Sequence, residues 1–346
     1  MESGGGRVEG GEWRVEGGEQ GGERRAMKNF WAGKRVLVTG AHGFIGQHLC
    51  PQLVVAGAEV YEPTHYEFDV TVPGEVNCMF TWANPQIVIH LAANVGGIGY
   101  NQKYPMQLFR DNILMGVNVI DACAAWPHQV DKLVVMGTTC AYPKMTPVPF
   151  VESALWNGYP EETNAAYGVA KRALLTMCQA SRQQYGLNAI YLLLTNLYGP
   201  GDSFDPEHSH VSPAMIRKFL DARDSKAPSV TLWGDGSATR DFLYVEDCAR
   251  GIMLATEKYN QGIPVNLGTG LETSIVELAD IIKTLTDYTG FIKWDTSRPN
   301  GQPRRCLETL CATNEFGFIS ETTLFEGLLK TIRWYEEGGG NEGVGG

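Results

Sequence analysis

The sequence predicts an α/β protein: a doubly wound parallel sheet joined to a smaller mixed α/β C-terminal domain. Three observations predict it. Short, continuously apolar runs alternate with helical patterns through the first half, as strands covered on both faces do. A glycine-rich turn follows the first of those runs directly. The chain has 346 residues, 43% hydrophobic and 19% charged, enough for a large core and a second unit.

Residues 35–39, Arg-Val-Leu-Val-Thr, read as the first strand, and a helical pattern over 45–55 follows. Residues 58–62 and 86–91 supply the second and third strands, 132–136 the fourth and 189–195 the fifth. Helical patterns over 105–124 and 163–185 flank the fourth. Turn residues are denser in the second half, where helices are expected near 211–222, 274–286 and 321–336. Residues 28–198, rejoined by about 239–262, then form the sheet domain. About 199–238 and 263–337 form the smaller one. Residues 1–27, with Arg7-Val8-Glu9-Gly10-Gly11-Glu12 repeated at 14–19, have little to bury. They and residues 338–346 are expected to be flexible tails.

The balance of 28 Lys+Arg against 39 Asp+Glu gives a net charge of −11, which argues against a nucleic-acid or anionic-membrane partner. The chain has no run of about 18 apolar residues and no apolar leader, so neither a membrane span nor secretion is expected. Its eight cysteines form no Cys-x-x-Cys pair. No metal site or disulfide framework is expected, and the thiols suit the reducing cytoplasm.

The turn after the first strand, Gly40-Ala41-His42-Gly43-Phe44-Ile45-Gly46, is a three-glycine loop opening a helix. Such glycines permit a tight turn, close approach of backbone to a pyrophosphate, and tight packing of the helix whose N-terminus holds the charge. Placed at the head of a βαβ unit, the loop makes this a Rossmann-type dinucleotide-binding domain. In an NAD binder the second strand ends in an acid that holds the ribose 2′-OH. Here Thr64 stands near that place, which leans towards NADP. No arginine stands there either, so NAD stays open. Asp69 is a candidate adenine contact.

Tyr167 and Lys171 lie one helical turn apart. A phenol with an ordinary pKa of about 10 is a poor acid–base group at neutral pH, and a neighbouring ammonium brings it closer to range. The fourth strand runs out through Gly137-Thr138-Thr139-Cys140, placing hydroxyls where open α/β sheets bind ligands. Thr138 is placed to donate to a substrate carbonyl while Tyr167 transfers the proton. Loop, hydroxyl and Tyr–Lys pair together are built like an extended short-chain dehydrogenase/reductase.

Four further runs sharpen that likeness: Ala93-Asn94-Val95-Gly96-Gly97-Ile98, Thr139-Cys140-Ala141-Tyr142-Pro143-Lys144, Thr195-Asn196-Leu197-Tyr198-Gly199-Pro200 and Ser209-His210-Val211. They closely resemble the GDP-L-fucose synthases, from about residue 34 to 335. The resemblance implies an NADPH-dependent epimerase/reductase acting on GDP-4-keto-6-deoxy-mannose. Alone, Cys140 reads as a small buried residue and His210 as part of a polar loop. The resemblance makes them the acid–base pair that inverts C3 and C5. It implies cofactor contacts at Gly40, Gly43, Phe44, Ile45, Gly46, Leu91, Ala92, Ala93, Asn196 and Leu197, with Lys171 on the nicotinamide ribose. For the substrate it implies Asn196, Val211, Lys218, Trp233, Arg240, Asn300 and Arg305, and for assembly a homodimer through the exposed faces of helices 105–124 and 163–185.

Three features depart from the family pattern. Thr138 replaces a serine, Lys218 replaces an arginine and loses its bidentate fork, and His42 and residues 63–65 stand where bacterial relatives offer arginines to a 2′-phosphate. Related readings on the same fold are a GDP-heptose substrate, or inversion without net reduction as in GDP-mannose 3,5-epimerase.

Overall fold

A computed structural model describes residues 30–126, 130–205, 209–298 and 301–339. In chain order the first half runs β1 (Arg35–Thr39), α1 (Gly46–Val55), β2 (Glu59–Tyr61), α2 (Pro73–Ala83), β3 (Ile87–His90), α3 (Ile98–Lys103), α4 (Pro105–Ala125), β4 (Lys132–Thr138), α5 (Ala165–Tyr185), β5 (Ala189–Leu194) and β6 (Asn196–Tyr198). The second half runs α6 (Val211–Asp224), β7 (Ser229–Trp233), β8 (Thr239–Arg240), β9 (Phe242–Tyr244), α7 (Val245–Lys258), β10 (Val265–Leu267), β11 (Thr273–Ser274), α8 (Ile275–Leu285), β12 (Phe291–Asp295), β13 (Arg304–Arg305), α9 (Leu310–Phe316) and α10 (Leu324–Glu336).

Six strands make one parallel sheet in the order β10-β5-β4-β3-β1-β2. Their side chains explain it. Val36, Leu37 and Val38 of β1 and Val88 and Ile89 of β3 are wholly buried, so both faces need covering. Val36, Val38, Ile89, Ile190 and Leu192 pack on one face with α1 and α7, and Leu37, Val88, Leu133, Val135 and Leu193 on the other with α2, α4 and α5. The strand order reverses between β1 and β3, and the crevice above that reversal is where such sheets bind ligands.

A third core joins α6, α8 and α10 to β7 and β12 through Phe219, Leu232, Leu278 and Ile332. The capping boxes Ser274–Glu277 and Thr323–Glu326 fix the starts of α8 and α10. Asp241, fully buried, stitches the two regions together. Its carboxylate accepts from Thr269 and from the Leu307 backbone, and its carbonyl from the Thr195 hydroxyl and the Asn196 amide.

The expected boundary at 262 moves. Strand β10 closes the parallel sheet beside β5, and Ala312, Phe316 and Phe318 pack into the first core. The sheet region therefore recurs twice more after residue 262. The expected tail at 1–27 lies outside the described residues, as do residues 340–346.

Candidate active site

The carboxyl ends of β1, β3, β4 and β5 open into one cavity of about 1420 Å³ that runs on between the two regions to α6 and β7. That exceeds the volume one drug-sized ligand needs and suits a dinucleotide beside a second ligand.

At one end lie Gly40, Gly43, Phe44 and Ile45. Gly40 has φ +72°, and a Cβ there would fall 2.7 Å from the Ala92 nitrogen. Only glycine meets both conditions. Gly46 does not line the cavity: its missing Cβ lets α1 close on Ala41, whose carbonyl would otherwise collide with it. Leu91, Ala92 and Ala93 form the facing wall, with Asn196, Leu197 and Thr64 further round. Thr64 donates through both its backbone N–H and its hydroxyl to Glu67, at 2.9 and 2.8 Å. Asp69 stands apart from the expectation. It does not line the cavity, and its Oδ1 accepts the Thr71 N–H and hydroxyl at 2.8 and 2.7 Å.

Thr138, Cys140, Tyr167 and Lys171 meet at the middle of the cavity. Thr138 ends β4, and its hydroxyl oxygen accepts the Cys140 N–H at 3.2 Å, capping the tight turn over residues 139–141. The hydroxyl proton is left free to donate. Tyr167 and Lys171 occupy the first two turns of α5, and the ammonium lies 5.7 Å from the phenol ring centroid. Lys171 is only 2% exposed, and burial brings its pKa down to about 8. No hydrogen-bond partner for its ammonium is found among the described residues.

The expected lowering of the Tyr167 pKa does not emerge in the protein alone. Burial, with Cys140 second, pushes the phenol well above its ordinary value. The group is therefore held protonated, as a proton donor must be. Near it, Arg305 donates through Nη1 to the Cys140 sulfur at 3.5 Å and through Nε to Gln302 at 3.1 Å. Arg240 is mostly buried in the same region and donates to the carbonyls of Thr239 and Gln302, each at 2.7 Å. Burial and the repulsion of Arg305 bring its pKa down to about 10. Two guanidiniums that repel one another on a cavity wall form a site for an anion.

His210 precedes α6, is itself exposed, and lines the cavity mouth, where partial desolvation lowers its pKa from the ordinary imidazole value. Val211 and Lys218 follow on α6 and line the same end with Trp233. Trp233 is 62% exposed and has two cations near its ring, Lys218 at 5.9 Å and Arg298 at 5.1 Å from the centroid. Asn300 lies outside the described residues. All the other expected site residues except Gly46 and Asp69 face one cavity.

Residues 36–268 match the family model described as the NAD dependent epimerase/dehydratase family. The chain is also 40% identical over 306 residues to a probable GDP-L-fucose synthase 1 of Oryza sativa, spanning 88% of this chain and 93% of that one. The chain belongs to the NAD dependent epimerase/dehydratase family, and within it to the GDP-L-fucose synthases. The synthase of Escherichia coli is 35% identical over 314 residues, covering 88% of this chain and 97% of the relative. Among solved structures, a GDP-L-fucose synthetase of Naegleria fowleri with NADP bound superposes with a TM-score of 0.81 at 27% identity, covering 87% of this chain and 92% of that one.

The synthase family's nucleotide end can be tested against the residues present. A close-approach glycine at 40, the N-terminus of α1, and a cavity-facing ammonium at 171 with no partner among the described residues are the groups a pyrophosphate and a ribose require. The residues fit an NAD(P) cofactor. Residues that sequence reasoning missed are Glu161 and Asn164, both on the cavity wall, while Gln302 lies in the 298–305 loop that the family resemblance places over the nucleotide. Asn164 receives Asn101 Nδ2 at 2.7 Å and donates to Glu161, fixing the start of α5. Only the nearness of Glu161 and Asn164 to Tyr167 in the chain hints at this.

Proposed function

We propose that this enzyme inverts C3 and C5 of GDP-4-keto-6-deoxy-mannose and reduces its C4 ketone with NADPH, forming GDP-L-fucose. One observation carries the reading: the Tyr167–Lys171 pair, Cys140 and His210 all open on the cavity that begins at the glycine loop.

A ketone at C4 acidifies the protons on both neighbouring carbons. Inverting either carbon needs one group to remove a proton from one face and another to return one to the opposite face. Cys140 and His210 form that pair. The hydroxyls of Thr138 and Tyr167 donate to the ketone oxygen and stabilise the enolate while a carbon is planar. His210, with its pKa depressed, carries a neutral imidazole at neutral pH. Bound NADPH supplies the hydride to C4. Tyr167 gives the proton to the oxygen, so the ketone gains two electrons and two hydrogens. Lys171 orients the nicotinamide ribose and steadies the phenolate left behind. Arg240, Arg305 and Lys218 hold the diphosphate, and Trp233 offers its face to the guanine.

The enzyme pairs as a homodimer through α4 and α5, where Met106, Phe109 and Leu114 are exposed on α4. Its eight free cysteines suit the reducing cytoplasm, and no described helix is long and apolar enough to cross a membrane. Incubating the enzyme with GDP-4-keto-6-deoxy-mannose and NADPH, and following absorbance and product configuration together, tests the reading.

A further inference from the structure

Arg172 follows Lys171 but points the other way. Its side chain is 8% exposed. The Nε donates to the Ala141 carbonyl, Nη1 donates to the Gly158 carbonyl at 2.8 Å, and the guanidinium lies 5.7 Å from the Trp156 ring centroid. Ala141 is the residue after Cys140. One turn earlier, Gly168 meets the same turn from the helix side: a Cβ there would fall 2.5 Å from the Cys140 carbonyl oxygen. The carbonyls of Cys140 and Ala141 are thus both pinned by α5, one by a bare glycine and one by a guanidinium.

The clamp reaches further. Lys144 N–H donates to the Tyr159 carbonyl at 3.0 Å, and Pro143 bridges to Pro160, so residues 141–144 and 158–160 form a short ribbon. Arg172 holds both sides of its base. Residues 167 and 171 of α5 serve the cavity, and residues 168 and 172 hold the Cys140 turn. Burying a guanidinium is a poor route to stability, and here Nη2 is left buried without a partner among the described residues. The two bonds it does make both end on backbone carbonyls flanking the 139–141 turn and the 158–160 segment, so what the guanidinium contributes is the placement of that turn.

We propose that Arg172 is the positioning residue for Cys140. By locking the 139–141 turn to α5, it fixes the thiol against the sugar carbons and sets the division between inversion and reduction. This rests on the epimerase/reductase reading above. Each inversion removes one proton from carbon and returns one, and the later reduction adds a hydride and a proton at C4, so loosening the turn impairs the first and spares the second.

The test compares the full-length enzyme with Arg172→Met and Arg172→Lys in D2O, with GDP-4-keto-6-deoxy-mannose and NADPH. Proton NMR reads deuterium at C3 and C5 and product configuration, while absorbance reads NADPH consumption. Arg172→Met is expected to slow deuterium entry by about tenfold or more and NADPH consumption by less than about threefold, because misplacement affects only the group misplaced. The product should shift towards the 4-alcohol with uninverted carbons, and Arg172→Lys should recover part of the loss. Should the methionine variant fail to fold, the lysine variant is expected to show the same imbalance in smaller degree. Equal losses of both activities, or none in either, would overturn the proposal while leaving the function standing. A wild-type enzyme inert in both readouts would overturn the underlying reading and the proposal together.

Discussion

The Arg305 guanidinium donates to the Cys140 sulfur at 3.5 Å, although 165 residues separate them in the chain. The contact joins β13 of the second region to the turn that follows β4 in the first. It places the candidate acid–base thiol at the seam where a sugar diphosphate and a nicotinamide would meet.

A donor aimed at that sulfur orients it. Replacing Arg305 with Met is therefore expected to slow deuterium entry at C3 and C5 by about a hundredfold, the cost of misplacing a reacting group by about 1 Å. NMR of the sugar in D2O measures it. Deuterium entry at the wild-type rate would show that the sulfur needs no such partner.

Tyr167 is held protonated by burial. Tyr167→Phe removes the proton donor while keeping the ring, so NADPH oxidation should fall by about a hundredfold to ten-thousandfold. NADPH affinity, read by fluorescence titration, should change little. A variant that still oxidises NADPH at near the wild-type rate would take the proton from elsewhere.

Gly40 has a left-handed backbone and no room for a side chain. Gly40→Ala should weaken NADPH binding by about tenfold or more, equivalent to roughly 1.4 kcal/mol. Calorimetric titration checks it. Unchanged affinity would mean that the loop does not approach the pyrophosphate closely.

His90 carries a pH signature. Its ring is fully buried, shares a 2.8 Å hydrogen bond with the Thr39 hydroxyl and has no partner for Nε2 among the described residues. Burial, then the charge of Lys171, pushes its pKa down to about 3. An unfolded histidine titrates near 6.5, so between these values the unfolded chain binds the proton and the folded one does not. The stability is complete above about pH 6.5 and is lost as pH falls towards 3, by up to about 1.4 kcal/mol per unit. His90→Gln should flatten that slope, and denaturant melts at about pH 7 and pH 5 would show it. Parallel slopes in the two proteins would rule it out.

Much of this was legible in the residues. The apolar runs at 35–39, 86–91, 132–136 and 189–195 each became a strand of the parallel sheet, because a strand buried on both faces has no polar alternation to misread. Strand β10 was missed: Val265–Leu267 is three residues long and leaves no period to read. Helix α7 was missed too, although its buried face, with Cys248, Ala249 and Ile252, is what covers the sheet opposite α5. In the site, the glycine loop and the Tyr–Lys pair carry their chemistry in fixed spacings. Arg172 does not. An arginine beside a lysine reads as a solvated charge, and only the path of residues 139–160 around α5 reveals what it holds. Asp69 stands outside the cavity wall, with its Oδ1 engaged by the Thr71 N–H and hydroxyl.

The central claim is that one site both inverts and reduces. The most direct test counts NADPH consumed per GDP-4-keto-6-deoxy-mannose and determines the configuration of the product by NMR. One NADPH should be oxidised per sugar, and the product should be inverted at both C3 and C5. No oxidation with NADPH or NADH, or an alcohol with both carbons uninverted, would contradict it.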